Sequence, residues 1–117
     1  MGVLSTVPAL RARSASSEHA FISAMNAVMA TMMAKMQIQP SHDVDRDFVD
    51  MMVPHHRGAI GMAEAELRYG HNERTRRIAE EIIVTQQEEI TAMKLSVGEP
   101  LPASEPAPDQ IPYRKGR

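Results

Sequence analysis

Apolar residues recur at steps of three and four through three stretches of the chain, the spacing that lines one face of an α-helix. In the first stretch, from about Ser17 to Gln37, the stripe is Phe21, Met25, Val28, Met29, Met32 and Met36. Ser16 or Ser17 can serve as its N-cap, with Glu18 in the first turn. Gln39-Pro40 ends it, because the residue before a proline avoids α geometry. The second stretch runs from about Asp43 to Tyr69. Asp43, Asp45 and Asp47 crowd its start, where the helix dipole favours negative charge, and Gly70 supplies the stop. Pro54 lies inside this helix; it removes a backbone hydrogen bond and crowds the Asp50 carbonyl, so a bend is expected between Asp50 and Pro54. The third stretch runs from about Asn72, the cap, to Val97, with Gly98 and Pro100 closing it. Its inner face is traced by Ile78, Ile82, Ile83, Gln86, Ile90, Met93 and Val97.

The flanks lack this periodicity. Residues 1–16 are mixed and Ser-rich and read as a flexible N-terminal arm. Residues 98–117 carry Pro100, Pro102, Pro106, Pro108 and Pro112, too many for a helix, and read as a disordered, extended tail. No internal repeat is visible. The expected architecture is all-α: an antiparallel up-down bundle of three main helices over residues 17–97, with short connections. Three such stripes make a thin core. A homodimer, which would bury the remaining Met stripe, is therefore expected; a monomer with a Met-rich surface is the alternative.

Composition sharpens the chemistry. Met occurs ten times, Cys and Trp not at all, and aromatics make up 3% of the chain. Without Cys there are no disulfides, thiolate metal sites or Cys nucleophiles. Methionine fills irregular cores, and its thioether is also a soft donor that suits Cu(I). The formal net charge of −2 lacks the basic surplus of a nucleic-acid binder. No apolar run is long enough to span a membrane, and Pro8 interrupts the first residues, so no signal peptide is legible.

The chemistry-bearing stretch is Asp45 to Ala63. Residues four apart share a helix face, so Met51 stands beneath His55, Met52 beneath His56, and Met62 two turns beyond His55. The two adjacent imidazoles diverge by about 100°, and each pairs more naturally with its own Met and a ligand from another helix. A mixed thioether–imidazole set points to copper, with silver as a Cu(I) mimic. The carboxylates Asp47, Asp50 and Glu89 keep Cu(II) or zinc open, and Asp47, at the edge of the His55 face, is a candidate ligand. The Asp50 carbonyl freed by Pro54 is expected to accept a histidine N–H. Neither His55 nor His56 has a Glu three residues before it, so the Glu-x-x-His pairs of a di-iron centre are absent here. No phosphate loop, nucleophile elbow or His-Glu-x-x-His signature occurs, and no enzyme activity is expected.

A plainer reading stands beside this one. Met25, Met29, Met32 and Met36 are packing residues, and His55 and His56 are a partly buried, hydrogen-bonded pair in a structural or interaction module. Asp43, Asp45 and Asp47 are helix-start charges; His19, His42 and His71 lie on the surface; Arg74, Arg76 and Arg77 form a solvated face.

The string Asp47-Phe48, Met51-Met52, Pro54-His55-His56, Ala59-Ile60, Met62-Ala63 resembles the signature of the bacterial family called domain of unknown function 305. The run Ala79-Glu80-Glu81-Ile82-Ile83, then Gln86, Glu89-Ile90 and Met93, resembles that family's second motif. The resemblance covers about Asp43 to Met93. It implies a ferritin-like helical bundle, an exported or periplasmic setting, and copper binding or tolerance. Carried over by residue, it implies Met51, Met52, His55, His56, Met62 and Met93 as metal ligands, with Gln86 and Glu89 as neighbours.

Overall fold

Local chemistry sets the helix ends. The computed structural model describes residues 3–100 and 107–113, with side chains from residue 9 onward. It contains α1 (Val3–Lys35), α2 (Val44–Tyr69), α3 (Glu73–Ser96) and a short 3-10 turn (Pro108–Gln110). Asp43 caps α2: its carboxylate accepts from the backbone N–H of Asp45 at 3.0 Å and of Arg46 at 3.3 Å. Asn72 caps α3 by accepting from Thr75 N–H at 3.0 Å. Gly98 ends α3 at φ 79°, a left-handed conformation that costs glycine little, and Glu99 N–H then donates to the Lys94 carbonyl at 2.9 Å. Pro54 is accommodated within an unbroken α2.

The expected all-α up-down bundle of three main helices is present, in an open form. The core lies between α2 and α3, where Ile60, Ala63 and Leu67 meet Ala79, Ile83 and Ile90. The other contact of α2 is with α1, through Gly58 and Gly61, which lie against Met32 and Val28. At about 100° per residue, these two faces of α2 are roughly 160° apart. α1 and α3 therefore flank α2 on nearly opposite sides, and among the described residues no extensive packing joins them to each other. No helix among the described residues is long and apolar enough to cross a membrane.

Two flanking segments differ from their expected form. α1 begins at Val3, not at the Ser16–Ser17 cap position. Ser17 sits mid-helix, buried at 6% exposure against the end of α2, with its hydroxyl unpartnered. Ala9, Leu10, Arg11, Ala12 and Ala15 are good helix formers, and no breaker separates them from the stripe that follows. At the other end, residues 107–113 fold back onto the hairpin. Ile111 packs against the core, and the Tyr113 hydroxyl and His71 Nδ1 are hydrogen-bonded at 2.8 Å. Residues 101–106 and 114–117 lie outside the described residues. Arg76 is not a solvated side chain. It donates to the carbonyls of Leu67 at 2.6 Å and Gly70 at 3.3 Å, closing the C-terminus of α2, and lies over the Tyr113 ring.

The α1–α2 contact depends on small residues. A Cβ at Gly61 would meet both Val28 methyls at 3.0 Å, and the β-branched side chain has little freedom to move away. Gly61→Val should force α1 outward and destabilise the fold by about 1–3 kcal/mol, read as a lower midpoint in urea denaturation. An unchanged midpoint would mean that α1 does not depend on this close approach.

Candidate metal centre

α2 and α3 run antiparallel on either side of the short Gly70–Asn72 connection and meet along one seam. Across this seam His56 meets Glu89. His56 is buried at 7% exposure, and its Nε2 lies 2.5 Å from Glu89 Oε1. Its Nδ1 lies 2.9 Å from the Met52 carbonyl oxygen. A carbonyl only accepts, so Nδ1 carries the hydrogen and donates. That fixes the ring and aims Nε2 across the seam at the carboxylate. Nε2 and Oε1 are thereby hydrogen-bonded across the seam.

The expected histidine bond to the Asp50 carbonyl does not form. A histidine folded back along its own helix reaches the carbonyl four residues earlier, which for His56 is Met52. Asp50 is too far back along the helix.

One turn further from the connection comes a second rung. Met52 stands four residues before His56, and Met93 four residues after Glu89. Both are half-buried on facing helices, and Met93 packs against the core. Imidazole, carboxylate and two thioethers are thus stacked in two adjacent turns of one seam. Among the described residues no three His, Asp or Glu side chains come together to hold a metal ion. A metal in this seam therefore needs the methionines.

The remaining sequence-predicted residues lie elsewhere. His55 is exposed, its ring edge-on to His56 with centroids 6.1 Å apart. Met51 is exposed and Met62 half-buried on the same outer stripe of α2. The two histidines do diverge, one inward and one outward. Both carboxylate oxygens of Asp47 accept from Ser41 N–H at 3.2 Å, so this side chain closes the loop before α2. Glu89, expected as a carboxylate that keeps Cu(II) or zinc open and as a neighbour of the implied ligands, is the direct partner of His56. Its spacing, three residues after Gln86 and four before Met93 on the inner face of α3, was the available signal.

The family described as a domain of unknown function, DUF305, matches residues 4–96. The chain belongs to the DUF305 family. The DUF305 match takes in nearly all of α1 as well as α2 and α3, and so spans more than the two motifs that carry the resemblance in sequence. No curated protein and no solved structure matches the chain.

The His56–Glu89 rung of this DUF305 chain should contribute measurably to stability. Glu89→Ala leaves a buried ring nitrogen short of its partner and should cost about 1 kcal/mol. A double-mutant cycle with His56→Ala should show a coupling of more than about 0.5 kcal/mol. Strict additivity of the two substitutions would show that the pair does not interact in solution.

Proposed function

We propose that this DUF305 chain is a non-catalytic copper-binding protein that sequesters the ion or confers tolerance to it. In this reading it acts as a homodimer in an exported or periplasmic setting, as the resemblance implies. The observation that carries the reading is the pair of rungs in the α2–α3 seam. His56 already has the form of a metal-binding histidine: its far nitrogen is held by a carbonyl and its near nitrogen is aimed at the other donors. Glu89 faces it, and Met52 and Met93 add sulfur on the next turn. Thioether and imidazole together favour Cu(I), with Ag(I) as its redox-inert stand-in, over hard ions; the carboxylate also admits Cu(II) or zinc. The ion would be held by the His56 imidazole and the Glu89 carboxylate together with the sulfur of Met52 or Met93.

A second reading draws on the same contact. Hydrogen-bonded to each other, His56 and Glu89 need no ion, which suits a structural or interaction module.

Competition against a Cu(I) chelator under anaerobic conditions separates the two. The copper reading predicts uptake by the folded protein that falls on His56→Ala, and less steeply on Met52→Leu or Met93→Leu, while helicity persists. Free Ag(I) at about 100 times its Kd should raise stability by about 2.7 kcal/mol. A folded wild type that takes up neither ion, with an unchanged Tm, would falsify the copper reading and leave the structural one.

A further inference from the structure

With α1 and α3 on its flanks, α2 presents two open sides of opposite character. On one side lie Arg46, Asp50, Arg57 and Glu64. On the other, Val44, Phe48, Met51, His55 and Met62 follow one another at steps of three, four and seven residues, the spacing of a helix-packing seam. Val44 is 84% exposed, Phe48 57% and Met51 40%.

α1 extends the apolar side. Glu18 on α1 lines a groove with Glu66 and Tyr69 of α2, both on the same stripe as Met62. Ile22, Met29 and Met33 continue from Glu18 along α1 at helical spacing, and each is about half exposed. On the opposite side of the α1–α2 contact, a separate groove is lined by Ala27, Thr31 and Arg57. The exposed α1 methionines and the His55 stripe therefore share one face.

We infer that a second copy of this chain covers this face, on a two-fold axis near His55, and that the two His55 imidazoles, with Met51 and Met62 of each copy, hold one soft metal ion between them. The second half rests on the copper reading; the first does not. Three observations favour a second copy as the occupant. His55 lies within two residues of the midpoint of α2 (Val44–Tyr69), so antiparallel α2 helices crossing at their centres bring the two rings together. Between Val44 and Met62 the stripe holds no Lys, Arg, Asp or Glu, the carboxylates Glu18 and Glu66 lying at one end of the face, so its centre needs no partner of opposite charge, and a copy presents the same Met, Phe and His. The stripe is about 27 Å long by helical rise and two adjacent helices are about 22 Å wide, roughly 600 Å² per copy, the lower end of the area of a stable dimer interface. Within one chain the donors of this stripe all come from a single helix, and the second copy supplies the facing set.

Sedimentation of the metal-free protein tests the face. We expect a dimer, and a folded monomer for Met33→Glu plus Phe48→Glu. The chain has no cysteine, so His55→Cys should be cross-linked to its copy by a short bis-maleimide, whereas Arg57→Cys, on the charged side, should not. A monomeric wild type with and without Ag(I), a dimer that survives the double substitution, or equal cross-linking at both positions overturns the interface. The shared site is read in His56→Ala, which removes the seam site: Ag(I) should saturate at one ion per two chains and be lost on adding His55→Ala. One ion per chain, or none, overturns the shared site. Seam binding by the wild type then stands or falls separately, on its dependence on His56.

Discussion

α2 packs on two sides at once, and the two contacts are of different kinds. Toward α3 it offers His56, Ile60, Ala63 and Leu67, a stripe of ordinary core bulk with one polar member. Toward α1 it offers Gly58, Gly61 and Ala65, almost no side chain, so that Val28 and Met32 lie directly against its backbone. The first contact buries large apolar surface and forms the core. The second gains by close approach, with dispersion contacts rather than volume. Because the two lie nearly opposite, the helices form an open layer, and the outward stripes of α1 and α2 are left exposed among the described residues. The exposed methionines follow from that geometry as much as from their number.

The same constraint separates His55 from His56. Adjacent on a helix that is covered on its flanks, one ring must enter the α2–α3 seam and the other must leave it. In the seam, burial makes the polar contacts of His56 costly to lose, which is why both its nitrogens have partners. The partner of Nε2 is a carboxylate that is itself half exposed, with 52% of its side chain reaching solvent. A wholly buried pair would be locked as structure. A pair with one member at the surface can be reached from solvent. The structural and metal-binding readings therefore centre on the same contact.

Much of this architecture was legible in the sequence because its determinants are local. Asp43, Asn72 and Gly98 act on backbone groups within a few residues, and they place the ends of α2 and α3 where the pattern predicts. The start of α1 was not legible. A serine before an apolar stripe looks the same whether it caps a helix or lies within one, and Ser17 is buried by the distant end of α2. The tail failed for a related reason: proline density excludes a helix but does not say whether extended chain will dock, and Ile111 and Tyr113 find their partners in α2, α3 and the connection between them. At the site, periodicity separated the two histidines without saying which faced inward. That answer was nonetheless present, because His56 falls in step with Ile60, Ala63 and Leu67 while His55 falls in step with Met51 and Met62.

The methionines show why composition alone leaves function open. Met32 lies against the small residues of α2, Met93 packs against the core beside the His56–Glu89 rung, and Met29 and Met33 are exposed on a face with His55. One flexible, polarizable side chain suits all three positions, because the property that lets a thioether fill an irregular gap also makes it a soft donor. What distinguishes the roles is the company each sulfur keeps. Met32 lies against the glycine face of α2 with no imidazole one turn away, whereas Met52 and Met93 stand one turn from an imidazole whose orientation is already fixed. A leucine could replace Met32 with little change of chemistry. At Met52 or Met93 the same replacement would preserve the packing and remove the donor, and the difference between those outcomes separates a methionine that packs from one that binds.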